Sequence, residues 1–195
     1  MDQPRRLVLA STSRYRKELL GRLGLAFETA APGVDETALP GEAPPDTALR
    51  LSIEKARSLK NKFKDCVIIG SDQVASCDGA RLGKPGNHAN AIRQLRSLSG
   101  KTAQFDTAVS LFDAKSGAIQ SRVVPCQVVF RKLDDARIEA YLRREQPYDC
   151  TASAKAEGLG IALIARMQTE DPTSLIGLPL IALTEMLERA GLSVP

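Results

Sequence analysis

The residues best suited to chemistry lie in a few short runs. Gly70-Ser71-Asp72-Gln73 comes first, because it sets a carboxylate directly after the apolar, β-branched stretch 66–70. Such a stretch reads as a strand covered on both faces, and open α/β sheets place their ligand sites beyond the carboxyl ends of strands. Asp72 is then a candidate base or metal ligand; for a lone aspartate, a capping or Asx-turn role is the alternative. The dipeptide Asp78-Gly79 favours a two-residue hairpin. That turn sets Cys77 opposite Ala80 and, counted outward, Gln73 opposite Lys84. The register therefore predicts the ammonium of Lys84, in Gly83-Lys84-Pro85, beside Asp72. A surface salt bridge is the other reading of that pair, and it would contribute little stability.

Other charges sit where local rules disfavour them. Leu51, Lys55 and Leu59 follow at four-residue spacing, so Lys55 shares a row that faces inward on a helix. It either snorkels to water or serves a site. Arg14, Arg16 and Lys17 fall in the opening turn of the helix after Ser11-Thr12-Ser13, where the macrodipole is unfavourable to cations. A phosphate on the free N–H groups of that turn would compensate them; a solvated basic surface would explain them equally well. Glu36, in the loop Val34-Asp35-Glu36, has meaning only as a second metal ligand beside Asp72.

The elements that must position these residues follow from periodicity and punctuation. Strands are predicted at 7–10, 26–29 and 66–70, the last of them central. A polar turn at 11–13 opens a helix with the stripe Leu19, Leu20 and Leu23, which stops at Gly24. A loop rich in Pro and Gly covers 32–45, and a helix begins near Asp46. Asn87 or Asn90 opens the next helix, which ends before Ser99-Gly100. Extended stretches at 103–112 and 118–130, joined through 115–117, form a long hairpin. Helices at 133–143 and 179–190 flank an irregular stretch at 146–160.

Composition narrows the class. A chain of 195 residues with 43% apolar content supports one well-covered core, or two lobes sharing a sheet. The cysteines Cys66, Cys77, Cys126 and Cys150 form no Cys-x-x-Cys pair and no zinc pattern, which suits reduced thiols in a cytoplasmic protein. The amino terminus carries no signal-peptide core, and no apolar run approaches membrane-spanning length. A net charge of +4 spread among both signs suits a small anionic substrate at least as well as nucleic acid; neither a stable nucleic-acid partner nor a membrane is expected. There is no phosphate-cradling Gly-x-x-x-x-Gly-Lys-Ser/Thr stretch. His88 pairs with no cysteine and is expected to be exposed near a helix start.

Several runs together resemble the Maf family of nucleotide pyrophosphatases, in order and over nearly the whole chain: Leu9-Ala10-Ser11-Thr12-Ser13, Val34-Asp35-Glu36, Glu54-Lys55-Ala56, Gly70-Ser71-Asp72-Gln73, Gly83-Lys84-Pro85, Leu98-Ser99-Gly100 and Gly177-Leu178-Pro179. Gln146-Pro147, Cys150, Glu157-Gly158-Leu159-Gly160-Ile161 and the run from Ile176 to Leu183 are similar to the branch of that family acting on 7-methyl-GTP. The resemblance implies an α/β fold of the Maf and inosine-triphosphatase kind. It would be a single domain over 1–195, an elongated mixed sheet flanked by helices, with two lobes and a cleft, and a homodimer as the family's habit.

By the same resemblance, a nucleoside triphosphate is hydrolysed to monophosphate and diphosphate with a divalent cation, Mg2+ or Mn2+, on Glu36 and Asp72. Asp72, Lys84 and Lys55 would be catalytic, and Ser11 and Arg16 would hold phosphates. Tyr15, Gln73 and Glu157 would choose the base, Tyr15 stacking on the cationic 7-methylguanine and Glu157 accepting its N–H donors. The chain departs from the family at Arg14, where Pro is usual, at Tyr15, where Trp is usual in the branch, and at Thr151-Ala152 and Ala154. A pyrophosphatase preferring dTTP or UTP is the enzymatic alternative, and a nucleotide-sensing regulator of cell division the non-enzymatic one.

Overall fold

The computed structural model describes residues 5–194, so the opening residues 1–4, read as lacking a signal-peptide core, and residue 195 lie outside it. Arg6–Ala10 forms strand β1, and its four apolar residues are buried because both faces of the strand are covered. The remaining strands are β2 (Phe27–Ala30), β3 (Cys66–Cys77), β4 (Ala80–Leu82), β5 (Thr102–Asp113), β6 (Ile119–Phe130) and β7 (Ile164–Thr169). They form one sheet in the order β2-β1-β3-β5-β6-β7, with β4 paired to β3. Pairing is parallel from β1 to β2 and β3, and antiparallel from β3 to β4 and from β6 to β7, so the sheet is mixed. Helices α1 (Arg14–Gly21), α2 (Pro44–Ser58), α3 (His88–Leu98), α4 (Asp135–Glu145) and α5 (Leu180–Arg189) complete the fold.

The chain divides into two compact units. The first holds residues up to 73, 106–124 and from 171 onward; the second holds 74–105 and 125–170. In the first unit the period-two alternation of the strands splits the core into two layers. Leu7, Leu9, Val67 and Ile69 join Leu19 and Leu20 of α1 and Leu183, Met186 and Leu187 of α5. Val8, Ala10, Cys66 and Ile68 join Ala56 of α2 with Leu59 and Phe63 just beyond it. In the second unit α3 buries Ala91, Leu95 and Leu98, and α4 buries Ile138, Tyr141 and Leu142.

Two sequence expectations are corrected. The strand predicted at 66–70 does not end in the carboxylate: β3 continues to Cys77 and Asp72 is an interior strand residue. The strand is longer because it also pairs with β5 and gains β4 beyond the stretch beside β1. Its pairing with β1 covers Cys66 to Ile69, and β4 takes up Ala75 to Cys77. The hairpin pairs Cys77 with Ala80 as expected, but the ladder ends at Ala75–Leu82. Gln73 and Lys84 are therefore not cross-strand partners, and Lys84 sits in the exposed segment after β4.

Smaller shifts have local causes. Helix α2 starts at Pro44 rather than near Asp46, because proline is well suited to the first helical positions. Helix α4 runs two residues later than expected, since the Asp134 side chain caps it by accepting from the Arg137 N–H. Asn87 opens α3 in the same way through Asn90. The stretch after Gln146 contains only short 3-10 turns, at Thr151–Ser153 and Leu159–Leu163. All four cysteines are free thiols. Among the described residues no helix is long and apolar enough to cross a membrane.

Candidate active site

The site begins at the carboxyl end of β1, where the chain turns through Ser11 to Ser13 into α1. The Ser13 hydroxyl accepts from the Arg16 N–H at 3.4 Å and the Ser11 hydroxyl from the Ser13 N–H at 3.1 Å, so both serines hold the helix start. This turn delivers Arg16, whose Nε donates to the Gly177 carbonyl at 2.9 Å. Burial pulls the guanidinium below its ordinary value, against Asp72 and Glu36, whose charges favour its protonated form. It remains a cation.

A missing side chain brings Lys55 to Asp72. Gly70 lies under α2 so closely that a Cβ there would stand 2.1 Å from the Ser52 carbonyl oxygen and 2.6 Å from the Ala56 nitrogen. Only glycine permits that approach. Lys55, one residue before Ala56, thereby reaches Asp72 on the adjoining strand. Its Nζ is 2.6 Å from Asp72 Oδ1 and 2.6 Å from Glu36 Oε1. At 4% exposure the ammonium does not snorkel, so its inward position serves the site.

Glu36 comes from the loop before α2, and α2 also restrains that loop. Arg50 donates to both oxygens of Glu42, at 2.6 and 2.8 Å, and to the Thr37 carbonyl at 3.2 Å. The Arg50 hydrogen bond, aided by the Leu39 N–H and Thr47 hydroxyl, holds the Glu42 carboxyl down to about 2. Glu36 is exposed, whereas Asp72 is 7% exposed. Burial dominates Asp72 and raises its carboxyl above the ordinary aspartate value; Lys55 and Arg16 oppose this, and Glu36 adds to it.

Both neighbours of Asp72 are fastened to the segment before α5. Ser71 is fully buried, and its hydroxyl is 2.8 Å from both the Ala108 and Gly177 carbonyl oxygens. The Gln73 amide donates to the Ser174 and Leu175 carbonyls at 2.9 and 3.0 Å and to the Thr107 hydroxyl at 2.9 Å. Carbonyl oxygens only accept, so this fixes which end of the amide is which. Gly177 has φ +120°, a conformation other residues rarely adopt. Through it one carbonyl serves Arg16 and Ser71 together.

Of the residues singled out from sequence, the first unit thus assembles Glu36, Lys55 and Asp72 in direct contact, with Arg16 in their field and Ser11, Tyr15 and Gln73 on the same elements. The Tyr15 ring carries the Arg14 guanidinium 4.7 Å from its centroid. Lys84 and Glu157 belong to the second unit and are exposed. The Lys84 segment is held by the Gly83 carbonyl, which accepts from Gln94 Nε2 at 3.0 Å, and by the Pro85 carbonyl, which accepts from Asn90 Nδ2 at 2.8 Å. His88 is half-buried rather than exposed, 2.9 Å from both Tyr148 and Glu139. Sequence reading passed over Ser71, Arg50 and Glu42 and the roles of Gly70 and Gly177; a glycine inside a strand was the one available signal.

Two carboxylates beside a buried lysine and a half-buried arginine form a site for hard cations and phosphate. Among the described residues no group of three or more His, Cys, Asp or Glu gathers to hold a metal. A pair of carboxylates nevertheless suits Mg2+, which commonly takes one or two of them and completes its shell with water and substrate phosphates.

Several known proteins are similar to this chain over most of its length. A 7-methyl-GTP pyrophosphatase of Thiobacillus denitrificans is 56% identical over 96% of this chain and 94% of its own length. Proteins of the same name from Albidiferax ferrireducens and Cupriavidus pinatubonensis are 52% and 54% identical, over 100% and 95% of this chain and 98% and 94% of their own lengths. Among solved structures, the Staphylococcus aureus Ham1 protein aligns with a TM-score of 0.46 and 14% identity, over 66% of this chain and 73% of that one. The profile of Maf-like proteins matches residues 6–190, the stretch that supplies every contact of the site described above, and the chain belongs to that family.

Proposed function

We propose that this chain hydrolyses 7-methyl-GTP to 7-methyl-GMP and diphosphate, removing a modified nucleotide from the pool. The observation that carries the reaction type is the buried Asp72 carboxylate held against Lys55 with Glu36 alongside. The substrate rests on relatives at 52–56% identity that bear that activity in their names. The reaction is set in the cytoplasm, where free thiols persist, in a single functional domain that acts as a homodimer.

Water attacks the α-phosphorus, forming a new P–O bond as the bond to the β-phosphate bridging oxygen breaks and diphosphate leaves. Asp72 orients that water and takes its proton. Burial raises the carboxyl toward the working pH, which makes it a better base than an exposed aspartate. Before the nucleotide binds, Lys55 holds Asp72 in its ionised form, and Arg16, anchored by its Nε, turns its remaining N–H groups to the phosphates. Ser11 and Lys84 complete the phosphate contacts in this reading. Glu36 and Asp72 would hold Mg2+ or Mn2+, which when bound lowers the pKa of water and offsets phosphate charge. Tyr15 would stack on the 7-methylated ring, while Glu157 accepts from its Watson–Crick edge and Gln73 offers its remaining carbonyl oxygen.

The test is diphosphate release from 7-methyl-GTP, GTP, dTTP and UTP with Mg2+ or Mn2+, for the wild type and Asp72→Asn. We expect the methylated nucleotide to be preferred and Asp72→Asn to fold while losing about 10²–10⁴-fold in turnover, the usual worth of a general base. Near-normal turnover of Asp72→Asn would remove Asp72 from this role. Binding without cleavage of any nucleotide would favour a sensor instead.

A further inference from the structure

We infer that Lys55 stands in for the cation between Glu36 and Asp72, so that the site takes a divalent metal only together with a triphosphate, which draws the ammonium off the carboxylates. This rests on the metal-assisted hydrolysis proposed for the same residues. The ammonium is 2.6 Å from one oxygen of each carboxylate. It therefore competes for the groups that would hold the metal.

Three further observations lead the same way. Lys55 and Arg16 offset the charges of Glu36 and Asp72, which weakens the pull on a free divalent cation. Lys55 is 4% exposed and its described partners are these two carboxylates. A metal that took both would strand a buried ammonium, which is strongly unfavourable. The protein also offers no third carboxylate, since no group of three metal-binding side chains exists among the described residues. A triphosphate resolves all three at once. It adds negative charge, gives the long Lys55 stem a new anion to reach, and supplies oxygen ligands for the metal. Metal and nucleotide are then positively coupled, and each strengthens the other by the same factor.

Mn2+ binding followed by electron paramagnetic resonance and water-proton relaxation reads this without turnover. The arms are the wild type, Lys55→Met, Lys55→Gln and Lys17→Met, each with and without guanosine α,β-methylene triphosphate, which cannot be cleaved at the reacting bond. Lys55→Gln keeps a polar side chain should the methionine variant fail to fold. Lys17 is an exposed residue of α1 that controls for loss of one positive charge.

The wild type should bind Mn2+ at least about tenfold more tightly with the analogue than without it, beyond the analogue's own chelation. The Lys55 variants should bind Mn2+ alone about tenfold more tightly than the wild type and lose most of that coupling, which is about 1.4 kcal/mol for a tenfold change. Wild-type binding of Mn2+ alone that equals the Lys55 variants overturns the inference and leaves the metal site standing. So does an equal gain in Lys17→Met. Absence of protein-bound Mn2+ in every arm overturns the metal reading, and the inference with it.

Discussion

Replacing Gly70 by alanine tests whether the closeness of α2 to β3 makes the site. The new Cβ would stand 2.1 Å from the Ser52 carbonyl oxygen and 2.6 Å from the Ala56 nitrogen, both backbone atoms that cannot rotate aside. Real Cβ contacts stay above 3.0 Å, so the helix must retreat by the difference, 0.9 Å, at Ser52. Overpacking of this kind costs about 1–3 kcal/mol. At about 2–4 °C per kcal/mol for a chain of this size, the melting temperature should fall by roughly 2–12 °C. Lys55 moves with the helix, and its 2.6 Å contacts to Asp72 and Glu36 cannot survive a shift of that size unchanged. Misplacement by an ångström is worth up to about 10²-fold in rate, so kcat/KM for 7-methyl-GTP should fall by about that factor. Thermal unfolding by circular dichroism and diphosphate-release kinetics measure the two effects. Gly21→Ala is the control, because nothing lies within 4 Å of its added Cβ. A Gly70→Ala protein melting within about 1 °C of the wild type, with kcat/KM unchanged, would refute the argument that this approach positions Lys55.

Three other outcomes are expected. Gly177→Ala forces φ +120° on an L side chain, which costs about 1–3 kcal/mol, and it loosens the carbonyl that orients Arg16. KM should rise more than kcat falls, and an unaltered KM would separate Arg16 from substrate binding. The acid limb of kcat/KM should lie above that of an exposed aspartate, because burial raises Asp72, and should move further up in Lys55→Met than in Arg16→Met, the lysine being the stronger opposing influence. A limb that stays put in both variants would assign it to another group. Glu157→Gln should reduce the preference for 7-methyl-GTP over GTP by about tenfold or more, the value of a charge-assisted hydrogen bond; an unchanged ratio would remove Glu157 from base selection.

Local elements were legible because local rules govern them. The caps at Ser13 and Asn87, the turn at Asp78-Gly79 and the apolar run of β1 all act within a few residues. The inward row of Leu51, Lys55 and Leu59 also exposed the oddity of Lys55, though not which carboxylate it would meet. The position of Asp72 was misread because the apolar run stops at Gly70 while the strand does not. Hydrogen bonds to β5 and, at its far end, to β4 extend β3, and apolar content does not record them. The Lys84 register failed for a related reason: a turn fixes where pairing begins but not how far it runs. Contacts such as Gly177 with Arg16, separated by 161 residues, have no local signature at all.

One short segment fastens much of what surrounds Asp72. The carbonyls of Ser174, Leu175 and Gly177 accept from Gln73, Ser71 and Arg16, the two strand neighbours of the carboxylate and the cation nearby. Asp72 itself gains little stability from this. Its folded carboxyl value lies above the ordinary one, so the folded chain binds that proton more tightly; the stability this gives is fully present below the ordinary value and is lost as pH rises through the folded one. Stability should therefore fall as pH rises through that value, opposite to the Glu42 contribution, which is present above its ordinary value and lost as pH falls toward about 2. The fold thus keeps Asp72 ionised at a cost, held in place by groups that do not react. A carboxylate that destabilises its own fold while its neighbours are this well anchored is more readily explained by chemistry than by structure.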